Sequence, residues 1–243
     1  MLGSMYRSLA IGAVVALKTT QCASTDGKYY NAFRAKDDGK ANIKTIHFVR
    51  HAQGYHNVAG AKNPVEYLRE DLEDAKLTEQ GVEQCNHLKD ISGDAVKSAQ
   101  LLVVSPLNRT MQTATYSFPQ LVNKIPWVAV ECLREQTGLH PCDRRRPLSE
   151  HQKSYQHIRF HEINNETDPL YYQYKLREPH ADVEKRAREF MLWLKNRPES
   201  EIIVVSHKGY LSNLFHTMIK TGEAEDTLCF KNCELRTFII DFS

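Results

Sequence analysis

The stretch Thr45–Asn57, "TIHFVRHAQGYHN", decides how the rest of the chain is read. It opens as an apolar, β-branched run, Ile46 to Val49, and turns polar at Arg50-His51. An unalternating run of this kind reads as a strand buried on both faces, the mark of a parallel sheet covered by helices. A strand that ends abruptly in a cation and an imidazole then places polar chemistry at a sheet edge. In open parallel sheets, ligands bind outside the carboxyl ends of the strands.

Three more runs repeat the pattern: "LLVVS" (Leu101–Ser105), "WVAVE" (Trp127–Glu131) and "IIVVS" (Ile202–Ser206). A fifth, "RTFIIDF" (Arg236–Phe242), reads as a last strand. Helical periodicity fills the gaps. Val183, Ala187, Phe190, Met191 and Leu194 share one helix face, as do Leu211, Leu214, Phe215, Met218 and Ile219. Thr78 is placed to cap a helix that turns Val82, Cys85, Leu88 and Ile91 inward. The alternation predicts a three-layer α/β/α sandwich with a mostly parallel central sheet.

The bounds fit one domain. The chain has 243 residues, 41% hydrophobic and 26% charged, enough apolar material for a full core. A formal net charge of +2 gives no argument for nucleic acid or a membrane surface. The single domain is expected over residues 44–243, after an N-terminal extension at 25–43. Residues 1–24 have the layout of a secretory leader: Arg7, an apolar run from Leu9 to Leu17, then small residues up to Ala23 and Ser24. Cleavage would send the protein to the secretory pathway or outside the cell. A mitochondrial presequence and an uncleaved leader on a cytoplasmic protein are the alternatives. The run is too short to span a bilayer, so no stable membrane association is expected.

Cysteines and histidines outside the strand ends carry less. Five cysteines follow residue 24, an odd number scattered through a large domain, which is no disulfide framework. Cys229 and Cys233 form a lone pair with no second pair near it, too little for zinc. His47 and His51 are four apart, but on a strand that separation is roughly 13 Å, too far to share an ion. His140, His151, His157 and His161 read as surface residues. Sequons occur at Asn108 and Asn165. Residues 137–180 lack a clear strand. They carry Arg144-Arg145-Arg146 and Tyr171, Tyr172 and Tyr174. The segment is either a basic lid, with Arg144 and Arg145 receiving a second anionic group, or a solvated surface excursion.

Function gathers at the strand ends. The first strand is followed by His51, the second by Ser105-Pro106-Leu107-Asn108-Arg109, the third by Leu133-Arg134-Glu135 and the fourth by His207-Lys208-Gly209. Two arginines, two histidines and a glutamate brought to one edge suit phosphoryl transfer. Arginine offers a planar fork to phosphate oxygens. A helix N-terminus adds N–H donors. An unprotonated imidazole nitrogen can attack phosphorus, and a carboxylic acid can protonate the leaving oxygen. No metal and no cofactor is expected.

These motifs resemble the histidine phosphatase superfamily, also called phosphoglycerate mutase-like. Its Arg-His-Gly signature with a following Asn is similar to Arg50-His51-Ala52-Gln53-Gly54-Tyr55-His56-Asn57. "SPLNRTMQTA" matches the segment of its second arginine, "LREQTG" that of its glutamate, "VVSHKGYL" that of its second histidine, and "LTEQGVEQ" a helix start. The resemblance covers about residues 44 to 242. It implies that His51 becomes phosphohistidine, that Arg50, Arg109, His207 and Asn57, with Gly54 beside them, hold the phosphoryl group, and that Glu135 is the acid and base. Ala52 stands where the family has Gly. The continuation after Glu135 lacks the His-Tyr-Gly of the glycolytic mutases, and "LREQTGLHPCDRRRPLSE" resembles a eukaryotic branch regarded as phosphatases. The implied function is metal-independent hydrolysis of a small phosphorylated metabolite. A phosphoglycerate-type mutase or a non-catalytic phospho-ligand binding module are the alternatives.

Overall fold

The computed structural model describes residues 30–33, 42–221 and 229–243. The expected leader lies outside these residues. Among them, seven strands form one sheet: β1 (Tyr30–Phe33), β2 (Ile43–Arg50), β3 (Leu101–Val104), β4 (Trp127–Ala129), β5 (Glu201–Ser206), β6 (Ile219–Lys220) and β7 (Leu235–Asp241). Their spatial order is β4-β3-β5-β2-β7-β1-β6. The block β4-β3-β5-β2 is parallel, β7 runs antiparallel to β2, and β1 antiparallel to β7. Residues 30–33, expected to precede the domain, thus add a strand to its sheet. The long strands coincide with the apolar runs of the sequence.

Helices cover both faces. Helices α7 (His180–Lys195) and α8 (Lys208–Met218) lie on one, against Ile46, Phe48, Leu101, Val103, Ile202 and Val204. Helices α2 (Glu79–Ile91) and α4 (Asn108–Ser117) lie on the other, against Val49, Leu102, Val104, Ile203 and Val205. Alternate residues of each strand therefore serve opposite layers, so strands read as unbroken apolar runs. Thr78 caps α2 as expected, its hydroxyl accepting from Gly81 N at 3.0 Å. Cys85 and Leu88 face in, but Ile91 is 42% exposed in the last turn.

The register fixes where the strands stop. Arg50 pairs with Ser206, and Val104 lies beside both Val205 and Ala129. Four carboxyl ends finish level, and the loops that follow must share one edge.

Residues 137–180 are tied down rather than draped. Their two ends zip together, with Leu139 N donating to Leu176 O at 3.0 Å and Glu178 N to Thr137 O at 2.8 Å. Gly138 has φ +115, and a Cβ there would lie 1.8 Å from Leu176 O, so only glycine fits. Helices α5 (Leu148–Ser154) and α6 (Pro169–Gln173) lie within the segment. Its anchor is Arg134, fully buried, whose guanidinium grips the Asp168 carboxylate with both forks at 2.5 and 2.6 Å. Asp168 also accepts from Arg145 N and, capping α6, from Tyr171 N. Removing one partner of a buried pair strands the other charge, at about 3–5 kcal/mol. Asp168→Ala is expected to lower unfolding free energy by about that amount in urea titration. A loss under about 1 kcal/mol would mean that the segment is anchored elsewhere.

Candidate active site

His51 is 2% exposed and follows β2 directly. Its main-chain N–H donates to Ser206 O at 2.9 Å, extending the ladder one residue past the strand. Ring Nδ1 lies 2.7 Å from Ala52 O. A carbonyl only accepts, so Nδ1 carries the proton and Nε2 keeps its lone pair. Ala52 tolerates its Cβ because its backbone is not in the left-handed region; the methyl packs in the core and its N–H donates to Thr113 Oγ1.

The loop 230–234 braces the same segment from behind. Arg50 Nη1 donates to Phe230 O at 2.9 Å, Cys233 N to Arg50 O and His51 O, and Asn232 Nδ2 to His51 O. On the other flank, Thr78 N donates to Gln53 O at 3.0 Å. Gly81 makes that approach possible, since a Cβ there would lie 2.2 Å from Gln53 O. Asn57 sits in helix α1 (Tyr55–Lys62), its Oδ1 accepting from Gly54 N at 2.9 Å.

Arg109, the second residue of α4, has no exposed surface. Its Nε donates to His207 Nδ1 at 3.2 Å, Nη1 to Cys142 O and Nη2 to Asp143 Oδ1 at 2.8 Å. His207 Nε2 is 2.7 Å from Ser105 Oγ. With Nδ1 accepting, Nε2 must be the donor, so both nitrogens of His207 are engaged. The rings of His51 and His207 are 5.2 Å apart. Glu135 reaches the N-terminus of α8 and accepts from Gln136 N, Gly209 N and Tyr210 N at 2.9–3.0 Å. A Cβ on Gly209 would come within 2.5 Å of Glu135 Oε1, so the glycine is what lets the carboxylate in.

Burial and positive neighbours act together on the imidazoles. Burial, then Arg109 and Arg50, hold His51 well below the ordinary histidine range. Burial, then Arg109 and His51, do the same to His207. The site therefore pairs neutral imidazoles with permanent guanidinium charges. Such a set binds an anion and leaves a nitrogen lone pair free at neutral pH.

The structure thus brings His51, Arg50, Arg109, His207 and Glu135 to one edge, with Gly54 and Asn57 beside them. It does not bring Arg144 or Arg145. Arg144 pairs with Glu73 and Glu70 at 2.7 Å, under the Tyr171 ring. Arg145 is 2% exposed and spends its guanidinium on Glu131 and on the carbonyls of Arg146, Asn165, Glu166 and Thr167. Both are paired within the protein and away from the cluster around His51. His151 is no surface residue either; it is 2% exposed and stands 3.1 Å from the buried Asp74 carboxylate. Asn108 is buried against Asp74 and Tyr155, so the folded chain offers no glycan acceptor there. A cleft of about 680 Å³ lined by Tyr55, Val58, Lys62 and Lys76 contains none of the clustered residues.

Several members of the site carry no motif signal. Asp143 bridges Arg109 and Arg177, whose Nη1 reaches Asp143 Oδ2 at 2.7 Å. Tyr67 stacks on His140 at 5.1 Å. His56 lies 5.4 Å from His51, ring to ring. Of these only His56, inside the motif, stood where a sequence could flag it.

The sheet and its edge define an α/β protein with imidazoles and guanidinium groups gathered where its parallel strands end. The chain belongs to the histidine phosphatase superfamily (branch 1), whose family model matches residues 46–241. It is 37% identical over 229 residues to a phosphoglycerate mutase-like protein of Arabidopsis thaliana, covering 81% of this chain and 84% of that one. Phosphoglycerate mutase-like protein 1 of the same plant is 35% identical over 232 residues, covering 81% of each chain. The crystal structure of the alpha-ribazole phosphatase from Shigella flexneri shares the fold, with TM-score 0.53 and 18% identity over 79% of this chain and 89% of that one.

The buried neutral histidines set the response to acid. Unfolded histidine titrates near 6.5, and in the fold His51, His56 and His207 all sit below it. The unfolded chain then binds more protons, so stability is full above pH 6.5 and is lost as pH falls through that value. Asp168, Glu199 and Glu234, also held low, ordinarily titrate at 3.8, 4.5 and 4.5, so their loss comes at lower pH. The thermal midpoint is expected to drop between pH 6.5 and 5, and less steeply in His207→Asn. A midpoint flat over that window would mean the imidazoles are already charged in the fold.

Proposed function

We propose that this chain is a phosphomonoester hydrolase working through phosphohistidine at His51. The observation that carries the proposal is the Nδ1 contact to Ala52 O at 2.7 Å, which leaves Nε2 as the only lone pair of that ring. In this reading the phosphate docks beside Arg50 and Arg109. Nε2 of His51 attacks phosphorus in line as the ester oxygen leaves. Glu135 supplies the proton to that oxygen, then accepts one from the water that attacks phosphohistidine. Its three N–H donors are the geometry of the second step, in which a carboxylate is wanted.

Charge supports the reading. Equatorial oxygens in phosphoryl transfer gather negative charge, and fixed guanidinium groups stabilise it without reorganising. Arg50 and Arg109 supply such charge beside His51 and His207.

The names of the relatives point to mutase chemistry and that of the Shigella protein to hydrolysis; the two differ only in what accepts the phosphoryl group. We favour water, because Gln136, which follows Glu135, turns its side-chain amide to the main-chain oxygen of Glu178 rather than offering it to an acceptor alcohol.

Alkyl and aryl phosphates separate the roles. His51→Ala is expected to abolish turnover of both. Glu135→Gln is expected to slow alkyl phosphates by about 10²-fold or more, because an alkoxide needs a proton, and to slow enzyme phosphorylation by an aryl phosphate far less. Equal losses on both in single-turnover kinetics would remove Glu135 as the acid. Conversion of a monophosphoglycerate to its isomer, without release of phosphate, would make the chain a mutase.

A further inference from the structure

His56, the second residue of α1, is buried beside the site without a hydrogen bond at Nδ1. His56 is 4% exposed, and its ring lies 5.4 Å from that of His51 and 6.3 Å from that of Tyr67. It is folded back against Gly54, where a Cβ would come within 2.7 Å of its Nδ1. That nitrogen is sealed from solvent with no hydrogen-bond partner, and no described residue bonds its Nε2.

Nε2 of His47 and Nε2 of His151 are also buried without a hydrogen bond, but each has a carboxylate beside it, Glu201 at 3.5 Å and Asp74 at 3.1 Å, as His56 does not. His47 Nδ1 meets Thr237 Oγ1 at 2.8 Å, His151 stands beside Asp74, and His207 has both nitrogens engaged. An unsatisfied buried polar group costs about 1–3 kcal/mol. A histidine kept only for packing could be replaced by an apolar ring at no such cost. Its placement makes sense if the missing partner arrives with the substrate.

We propose that His56 is a third imidazole of the phosphoryl site, donating Nε2–H to a nonbridging oxygen of the group transferred to His51. The inference rests on the phosphoryl-transfer reading. The tautomer follows from the surroundings. A buried N–H without an acceptor is rarer and costlier than a buried lone pair. Nδ1, shut against Gly54, is therefore the bare nitrogen, and Nε2 carries the proton. Burial, then the charges of Arg109, favour this neutral form. His207 is committed to Ser105 and Arg109, so His56 is the imidazole with a donor to spare.

The step balances without a proton moving on His56. The bond from His51 Nε2 to phosphorus forms, the ester P–O bond breaks, and the departing oxygen takes its proton from Glu135. His56 keeps its own proton, and its N–H···O bond strengthens as the equatorial oxygen gains charge. The same geometry explains Gly54, whose missing Cβ is the space the imidazole occupies.

Two substitutions separate binding from packing. His56→Phe keeps the ring and removes both nitrogens; His56→Gln returns an amide N–H near Nε2. On an aryl phosphate, the Phe variant is expected to lose about 10²-fold in kcat/KM, the usual scale for one transition-state donor. Its inhibition by orthovanadate, which mimics the transferring group, should weaken in parallel. Gln should recover at least tenfold of both. A folded Phe variant within threefold of wild type, or a Gln variant no better than Phe, overturns the proposal. Independently of any variant, ¹⁵N spectra of the histidine-labelled wild type should show a bare Nδ1 and protonated Nε2 for His56, with the Nε2 signal shifting when orthovanadate is added. An unmoved signal in vanadate-bound protein overturns it as well. A wild type that neither binds orthovanadate nor cleaves any phosphomonoester removes the phosphoryl reading itself, and this inference with it.

Discussion

A guanidinium with no exposed surface stands at the centre of this molecule. Arg109 carries a permanent charge into the interior, where an isolated ion costs several kcal/mol even after relaxation. It is tolerated because two parts of the chain converge on it: Asp143 and Cys142 from the 137–180 segment, and His207 from the end of β5. That demand couples the layers. The segment cannot leave without stranding Arg109, and Arg109 cannot move without releasing His207. Burial first, and then its field, hold His51, His56 and His207 in the neutral form.

A second buried arginine repeats the device one layer out. Arg134 follows β4 and points away from its neighbour Glu135, into the Asp168 carboxylate. Arg145 stitches the same region through five hydrogen bonds of its side chain. What looks in sequence like a basic lid is anchored to the body of the fold by these buried pairs. Its exposed contribution near the site is Arg177, held by Asp143, with 31% of its side chain open.

The strands and the chemistry at their ends were legible because each rests on a local signal. Buried parallel strands read as apolar runs, and a polar residue at the end of such a run must sit at the sheet edge. The family resemblance carried Gly54 and Asn57. What the sequence hid were contacts between distant segments. Nothing in Arg144-Arg145-Arg146 says that Glu73, Glu70 and Glu131 wait for the first two, because partners 71, 74 and 14 residues away leave no trace in spacing. His151 read as surface for the same reason: its partner Asp74 lies on another element. Residues 30–33 carry no strong β pattern and join the sheet because the edge of β7 is open to them.

The central claim is that His51 carries the phosphoryl group on nitrogen. Rapid quenching of the full chain with ³²P-labelled aryl phosphate tests it most directly, with the label followed through acid and alkali and then mapped to a peptide. The expected phosphoenzyme is stable in alkali and lost in acid, as a phosphoramidate is, with the label on the peptide holding His51 and none formed by His51→Ala. A label stable in acid and released by alkali, or one on a carboxylate-bearing peptide, would contradict it.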